Sequence, residues 1–303
     1  MTPEGGAHLT DIKTQFSEFL TEEVNRYKGI TVPVKANLLQ RIFVRKIRSQ
    51  KLHPNLSDEF CDPKIGPNYS IISRYEENIR NQMQHAQHNY FDEALLVEKM
   101  HPDGYMILNG HHRWAAAIRM RVPRIPARIV NLTHAADVQE MLKNARHNKR
   151  VTLDLDEVVF MTDGDSAAEK ALTFPLNKLY AERLRRGVPA LFHFIKKQGY
   201  DIWVYTARYY SPEYIQKLFR HYRVRVDGVV TGTERKAQIS KAEKRNLEAL
   251  ISKQYPQTIH IDGRSLLCTC STTKKYEVFP LSGDPFTWSQ ETMEIMGAMK
   301  KHA

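Results

Sequence analysis

Two aspartates, Asp154 and Asp156, stand at the end of an apolar run that is typical of a buried β-strand. Residues i and i+2 of an extended chain project to the same side, so both carboxylates can address one ligand or one metal ion. A hard divalent cation such as Mg²⁺ prefers carboxylate oxygens and retained water. The spacing therefore predicts a phosphate- or metal-handling site. The alternative is a solvated turn, since aspartate also favours turns.

The chain around these aspartates alternates between strand and helix patterns. The apolar runs predict a strand-like segment at 151–160, strands at 201–205, 226–230 and 258–261, and helices at 188–198, 212–221 and 239–252. This alternation favours an α/β unit with a parallel sheet and helices on both faces. The polar segment 161–187 predicts a small, partly helical cap, and the tail predicts a helix from Ser289 that packs on the same unit.

Polar side chains occur where these predicted strands stop, and ligands of such sheets bind at the carboxyl ends of the strands. They are Asp154, Asp156, Thr206 and Asp262. Phosphoryl transfer needs a nucleophile, a proton donor for the leaving group and positive charge around the moving phosphoryl group. We expect Asp154 to attack phosphorus, and Asp156 to protonate the leaving oxygen and then activate water. Thr206 would hydrogen-bond the phosphoryl group, and Asp262 would complete the Mg²⁺ site with Asp154 and Asp156.

This arrangement resembles the haloacid dehalogenase (HAD) superfamily. Its first motif matches the Asp-Leu-Asp-Glu-Val segment at 154–158, and its second and fourth motifs match Thr206 and Asp262. The resemblance spans about residues 150 to 282 and implies a Rossmann-like fold, Mg²⁺ dependence and an aspartyl-phosphate intermediate. The fourth motif often carries a second acidic residue, whereas Gly-Arg-Ser follows here. Lys241 has the typical distance for the lysine of the third motif, with Lys244 and Lys236 as alternatives.

A second candidate site lies upstream, at Gly110. The apolar run 105–108 ends in Asn-Gly-His-His-Arg and continues into an alanine-rich helix former. Helix N-termini carry unpaired N–H groups and a positive partial charge, and Gly110 lets the backbone approach a ligand. His111, His112 and Arg113 would add hydrogen-bond donors. The pattern predicts a phosphate cradle, and the alternative is a surface helix with a basic first turn.

The order of elements over about residues 40 to 132 resembles the ParB/sulfiredoxin-like domain, closest to its Gly-His-His-Arg branch, which includes free-serine kinases. The resemblance implies an α+β fold that binds ATP or another nucleotide at residues 110–113. His111 stands where sulfiredoxins have a cysteine, so thiol repair is not expected, and the Glu-Arg-Arg pattern of partition proteins is absent. Glu59, or alternatively Asp58, matches the acidic base of the serine-kinase branch. A kinase, an ATPase and a binding module all remain open for this domain.

The composition is that of an ordinary globular protein of 303 residues with a net charge of +11, which suits an anionic substrate or partner. Only three cysteines occur, and they lack zinc-site spacing. Neither a signal-peptide pattern nor an apolar run of membrane-spanning length is present. We therefore expect a cytoplasmic protein without a membrane partner.

Together these observations predict a ParB/sulfiredoxin-like domain at 1–147 and a HAD-like phosphatase domain at 148–303. The predicted function is Mg²⁺-dependent hydrolysis of a phosphorylated small molecule or nucleotide. One alternative is a nucleic-acid-binding protein that processes ends, for which steep salt dependence would be expected. Another is a HAD fold without catalysis that serves as a scaffold, because the fourth motif is incomplete.

Overall fold

The computed structural model describes residues 5–85, 90–162, 164–233, 241–271, 273 and 275–301. These residues form two compact units: the first extends to Asn131 and the second begins at Leu132. Within the described ranges, no helix is both long enough and apolar enough to cross a membrane.

The first unit is an α+β unit. Its helices and strands, in chain order, are α1 (Gly5–Tyr27), β1 (Val32–Pro33), α2 (Leu38–Ile42), β2 (Arg45–Arg48), β3 (Leu52–His53), α3 (Tyr69–Gln84), β4 (Leu95–His101), β5 (Tyr105–Asn109), α4 (His111–Arg119) and β6 (Arg124–Val130). The strands form a mixed sheet in the order β2-β6-β4-β5-β3, and β1 pairs with β4. The pairs β4–β6 and β3–β5 are parallel, and the others are antiparallel.

The apolar spacing of the helices explains how they cover this sheet. Phe16 and Leu20 of α1 lie four residues apart and Ile72 and Ile79 of α3 lie seven apart, and all four are buried with Trp114 of α4. Burial of each such side chain stabilises the fold by about 1.5–3 kcal/mol relative to exposure. The core therefore holds α4, and with it the glycine turn, against the sheet.

The second unit has helices on both faces of a central sheet. Its elements are α5 (Ala135–Lys143), β7 (Lys149–Asp154), β8 (Phe160–Met161), α6 (Leu176–Leu179), β9 (Arg183–Leu184), α7 (Val188–Lys197), β10 (Asp201–Thr206), α8 (Pro212–His221), β11 (Gly228–Thr231), α9 (Lys241–Gln254), β12 (Gln257–Ile261), β13 (Ser265–Cys270), β14 (Lys275–Pro280) and α10 (Trp288–Lys301). The sheet order is β11-β10-β7-β12-β13-β14, and β8 pairs with β9 outside it.

Alternation along the strands separates the two faces of this sheet. Ile202 and Val204 of β10 face the cluster built with α7, α8 and α10, including Trp288. Trp203 between them lies in a second cluster with Val138 of α5 and residues of α9. The helices on both faces and the packing of the C-terminal helix agree with the sequence predictions.

One prediction about this unit is wrong. The sheet is mixed, because β13 and β14 follow β12 and run antiparallel to their neighbours. The two compact units divide after Asn131, ahead of the predicted domain boundary after His147, because α5 buries Val138 against Trp203 and Tyr255. The segment predicted as a cap is small, as expected, and contains β8, β9 and the single-turn helix α6.

Candidate functional sites

Asp154 is the last residue of β7, and a π-helical turn, Leu155–Val159, follows it directly. Its Oδ1 accepts the N–H groups of Asp156 at 2.7 Å and Glu157 at 2.9 Å, so the carboxylate caps this turn. Turns of this type are rare in proteins, and those that occur often lie at functional sites. Within the described residues, no hydrogen bond involves the second oxygen, Oδ2. The turn thus holds the carboxylate in place and leaves one oxygen for chemistry.

Asp156 and Thr206 are brought together, as their places at adjacent strand ends predicted. Asp156 Oδ2 accepts the Thr206 hydroxyl at 2.7 Å and the N–H of Ala207 at 2.9 Å. The other oxygen, Oδ1, lies 3.1 Å from Arg208 Nε, an ion pair whose angles do not make a hydrogen bond. The Arg208 side chain is 61% exposed, so this pair is weak and the arginine can move.

The role predicted for Thr206 needs correction. Its side chain is fully buried, its hydroxyl donates to Asp156, and its oxygen accepts the N–H of Arg208 at 3.1 Å. A hydroxyl with its only hydrogen committed in this way has none for a phosphoryl oxygen. Thr206 therefore positions Asp156. Arg208, which the sequence analysis left without a role, provides a positive charge beside it.

Asp262 lies at the same edge of the sheet as Asp154. In the parallel register, Ile261 of β12 pairs with Leu153 and Tyr205 of β10 pairs with Asp154, so the chains leave these strands side by side. Burial raises the pKa of Asp262, but hydrogen bonds from the N–H of Arg264 and from the hydroxyl and N–H of Ser265 outweigh it, and the pKa is lowered. The carboxylate is therefore ionised.

The predicted set of three metal-binding aspartates is not assembled. Across the described ranges, no group of three or more His, Cys, Asp or Glu side chains is arranged to hold a metal ion. The Asp156 carboxylate is turned toward Thr206, Ala207 and Arg208 instead. Asp154 and Asp262 remain as hard oxygen ligands at neighbouring strand ends. Two carboxylates plus retained water suit Mg²⁺, so the donor set fits this ion with Asp154 and Asp262 alone.

The structure does not decide which lysine would face the phosphoryl group. Lys241 is the first residue of α9, but its side chain lies outside the described residues, as does Lys236. Lys244 is exposed on α9. The prediction of Lys241, with Lys244 and Lys236 as alternatives, therefore stands as it was made.

The glycine turn of the first unit has the predicted order of strand, glycine and helix. Gly110 follows β5, precedes α4 and has a φ of 102°, which an L-residue with a side chain rarely adopts. A Cβ at this position would lie 2.9 Å from Leu95 Cγ and 3.1 Å from Arg113 Nη2. Both the conformation and the space therefore require glycine.

The two histidines after Gly110 accept hydrogen bonds, whereas donation was predicted. His111 Nε2 accepts the N–H of Asn55 at 3.1 Å, and His112 Nε2 accepts the N–H of Asn68 at 3.2 Å. Both rings contact Phe60, His111 in a stacked arrangement and His112 edge-on. Their side chains thus fix the loop between β3 and α3.

Arg113 is also engaged within its own unit. Its guanidinium is buried and donates to the carbonyl of Glu93 at 2.7 Å and to Asn109 Oδ1 at 3.2 Å. The side-chain donors predicted for a phosphate cradle are therefore largely used by the protein. The backbone N–H groups in the first turn of α4 remain the part of the prediction that an anion could use.

The two acidic residues considered as a base both lie in the loop between β3 and α3. Asp58 Oδ1 lies 3.9 Å from His111 Nδ1. Glu59 begins a 3-10 turn, Glu59–Cys61, and is exposed. Glu59 therefore stays the predicted base, with Asp58 as the alternative.

The buried His111 predicts a pH dependence of stability in the first unit. Burial lowers the pKa of His111 from 6.5 to about 4, Asp58 raises it and His112 lowers it. Because the unfolded chain binds the proton at higher pH, stability is present above about 6.5 and is lost as the pH falls toward about 4. We expect protection of the α4 amides from hydrogen exchange, corrected for intrinsic rates, to decrease from pH 7 to pH 5.

A matched pair of variants isolates this effect. In His111→Gln, the amide oxygen can still accept the N–H of Asn55 but no proton is bound, so the decrease should become smaller. His85→Gln changes an exposed histidine at the end of α3 and should keep the wild-type profile. Equal pH profiles for all three proteins would assign the acid sensitivity to other groups.

Comparison with known proteins supports the ParB-like resemblance of the N-terminal part of the chain. A family model described as the ParB N-terminal domain matches residues 70–145, from α3 to just beyond α5. The matched segment contains Gly110 and the three residues after it. No curated protein matches the chain. The chain thus contains a ParB-like segment, and the HAD resemblance of its second half stays a prediction.

Proposed function

We propose that the second unit is a Mg²⁺-dependent phosphomonoester hydrolase of the HAD type, in which Asp154 is phosphorylated transiently. The observation that carries the proposal is that three strand ends lie side by side at one edge of the sheet: β7 with Asp154 and Asp156, β10 with Thr206, and β12 followed by Asp262. Thr206 fixes Asp156 across two of these ends. Polar residues of unrelated turns would not be placed at one edge in this way.

The strand order supports a ligand site at this edge. If the six strands of the sheet are numbered in chain order from β7, their order across the sheet is 3-2-1-4-5-6. The four strands β11, β10, β7 and β12 are parallel. The order reverses beside β7, which places β10 on one side and β12 on the other. In doubly wound sheets, ligands bind outside the carboxyl ends of the strands at such a reversal. Asp154 stands at this point.

The reaction can be assigned to atoms. Asp154 Oδ2 attacks phosphorus, the bond from phosphorus to the ester oxygen breaks, and that oxygen takes a proton from Asp156. Asp156 would carry this proton on Oδ1, because Oδ2 already accepts two hydrogen bonds. Asp156 then removes a proton from water, which attacks phosphorus and releases phosphate and Asp154.

Asp154 and Asp262 would hold Mg²⁺, which neutralises charge on the phosphoryl oxygens when it is bound. Arg208 and one lysine from α9 would add positive charge.

The substrate is a phosphorylated small molecule or a nucleotide. The test is phosphate release from a panel containing p-nitrophenyl phosphate, alkyl phosphates and nucleoside monophosphates, with Mg²⁺ or with EDTA. Absence of Mg²⁺-dependent release from every member would reject the proposal and favour a scaffold.

For the first unit, we propose nucleotide binding at the turn of Gly110, with a kinase or ATPase role as a further step. The ParB-like match and the N-terminus of α4 support an anion site, whereas the engaged histidines and Arg113 mean that backbone N–H groups would make the contacts. Titration of the intact protein with ATP by calorimetry tests this. Because Arg113 ties Glu93 and Asn109 to the turn, we expect Arg113→Ala to displace these N–H groups and lose binding, and Arg128→Ala, an exposed arginine of β6, to retain it.

Because Arg113 also ties Glu93 and Asn109 to the turn, its replacement needs a stability measurement beside the binding measurement. Loss of ATP affinity without a change in melting temperature would support contact at the turn. Unchanged affinity in Arg113→Ala would count against this site.

Nucleic-acid binding is the second candidate, favoured by the net charge of +11 and by the ParB-like match. It predicts that DNA or RNA affinity, measured by fluorescence anisotropy, falls steeply as salt increases. Binding that is absent at low salt would exclude it.

A further inference from the structure

Arg185 is a buried cation that the proposed reaction does not use. It directly follows β9 and is 7% exposed. Its Nε is buried without a hydrogen-bond partner in the described part of the chain, and no ion pair to its guanidinium occurs among these residues. An unsatisfied donor on a buried charged group is costly, because no hydrogen bond compensates for its loss of water. Such a group is expected where a ligand satisfies it.

The surroundings of Arg185 place it between the turns that carry Asp154 and Asp262. Its backbone N–H donates at 2.7 Å to the carbonyl of Val159, the last residue of the π-helical turn after Asp154. Its guanidinium carbon lies 4.4 Å from the centre of the Trp288 ring, and Trp288 Nε1 donates at 2.9 Å to the carbonyl of Asp262. The backbone of Arg185 is therefore bonded to the turn after Asp154, and its side chain packs on the tryptophan that is bonded to Asp262.

Gly263 places the guanidinium beside the turn that carries Asp262. A Cβ added to Gly263 would lie 3.9 Å from Arg185 Nη1, in van der Waals contact with it. Nη1 therefore lies next to the backbone of the turn that follows β12. The absence of a second acidic residue here, which the sequence analysis noted as a departure, also leaves the positive charge without a direct carboxylate partner.

The guanidinium keeps its charge in this setting. Burial lowers the pKa of Arg185, while Asp165 and Asp284 raise it. Because arginine does not lose its proton in proteins, the result is a charged group with incomplete compensation. The Trp288 ring offsets a further part of the cost of burial, since the electron-rich face of an indole attracts a cation.

We propose that Arg185 is an anion-binding residue of the Asp154 site and contacts the phosphate group of the substrate. This inference rests on the proposed phosphatase function, and it adds a residue that recognises the phosphate group of the substrate. A planar guanidinium with paired N–H donors matches phosphate oxygens in a two-point contact, which a lysine cannot reproduce. Arg185, which follows β9, would thus supply a second positive charge in addition to that of the lysine expected from α9.

Inorganic phosphate is the probe, because its binding can be measured without catalytic turnover. Its affinity for the intact protein would be measured by calorimetry with Mg²⁺ present, at constant ionic strength. We expect Arg185→Met to weaken phosphate binding by about tenfold to a hundredfold, the loss of one charge-assisted two-point contact. Arg186→Met, the same change at the exposed neighbouring arginine, should bind phosphate as the wild type does.

The melting temperature without phosphate distinguishes a ligand contact from a structural one. Methionine can keep the contact with Trp288 and removes the unsatisfied Nε, so Arg185→Met should melt at the wild-type temperature or above it. Arg185→Lys keeps the charge but not the paired donors, and we expect an intermediate phosphate affinity.

Three outcomes would overturn the inference: wild-type protein that does not bind phosphate, Arg185→Met that binds as tightly as wild type, or Arg185→Met that melts several degrees lower. The proposed phosphatase function fails on a different result, the absence of Mg²⁺-dependent turnover by wild-type protein. A protein that hydrolyses phosphomonoesters but binds phosphate equally in wild type and Arg185→Met would keep the function and reject the role of Arg185.

Discussion

Asp154→Asn should reduce Mg²⁺-dependent phosphate release by about three orders of magnitude or more, which corresponds to at least about 4 kcal/mol of transition-state stabilisation. The amide is a poor nucleophile and also removes one of the two carboxylates available to Mg²⁺. The amide oxygen can still accept the N–H groups of Asp156 and Glu157, so the turn after β7 should stay folded. The activity loss would therefore report chemistry.

Glu157→Gln is the control for this variant. Glu157 lies in the same turn and is exposed, and only its backbone N–H takes part in the contacts with Asp154. Activity should stay within a few-fold of wild type, and both variants should melt close to the wild-type temperature. Asp154→Asn that keeps more than a tenth of the activity would exclude Asp154 as the nucleophile.

The sequence predicted much of the second unit because its strands are long apolar runs. The strands β7, β10 and β12 and the helices α7 and α8 are each encoded locally. The alternation of strands and helices predicts that these strands are parallel. The polar residues at their carboxyl ends are therefore expected at one edge of the sheet, since parallel strands share an orientation. For the same reason, Asp154 and Asp262 could be grouped across more than a hundred residues of chain.

The last two strands carried a weaker signal. Asp262 and Gly263 form a dipeptide typical of tight turns between antiparallel strands, and in the structure this turn joins β12 to β13. The side chains of β14 are almost all exposed, so no apolar alternation marks that strand. A hairpin prediction from Asp262 and Gly263 would have corrected the parallel sheet.

Side-chain roles depended on partners that the sequence does not place. His111 and His112 were expected to donate hydrogen bonds, but Asn55 and Asn68 supply N–H groups from a distant loop and make both rings acceptors. Thr206 likewise turned its hydroxyl to Asp156. These choices follow from rotamers and loop packing, which residue types and spacing do not determine. Arg185 was missed because no motif surrounds it.

Asp156→Asn should have a large effect of a different kind, which separates the proton-transfer residue from the nucleophile. For an alkyl phosphate, we expect the rate to fall by about a hundredfold to ten-thousandfold, the usual contribution of a general acid. The p-nitrophenolate leaving group needs no proton, so its release from p-nitrophenyl phosphate should remain fast for one turnover. The phosphorylated Asp154 should then persist, because Asp156 also activates the water that hydrolyses it.

The measurement is a rapid-mixing assay of Asp156→Asn with p-nitrophenyl phosphate. We expect a burst of p-nitrophenolate close to one equivalent per enzyme molecule, followed by slow turnover. The amide oxygen of asparagine can accept the hydrogen bonds of Thr206 and Ala207, so the geometry should persist. Thr206→Val, which removes only the positioning hydroxyl, should slow the turnover after the burst less than Asp156→Asn does. Equal losses for alkyl and p-nitrophenyl esters without a burst would show that Asp156 does not transfer the proton, and would assign its carboxylate to holding Arg208 and the backbone of Ala207.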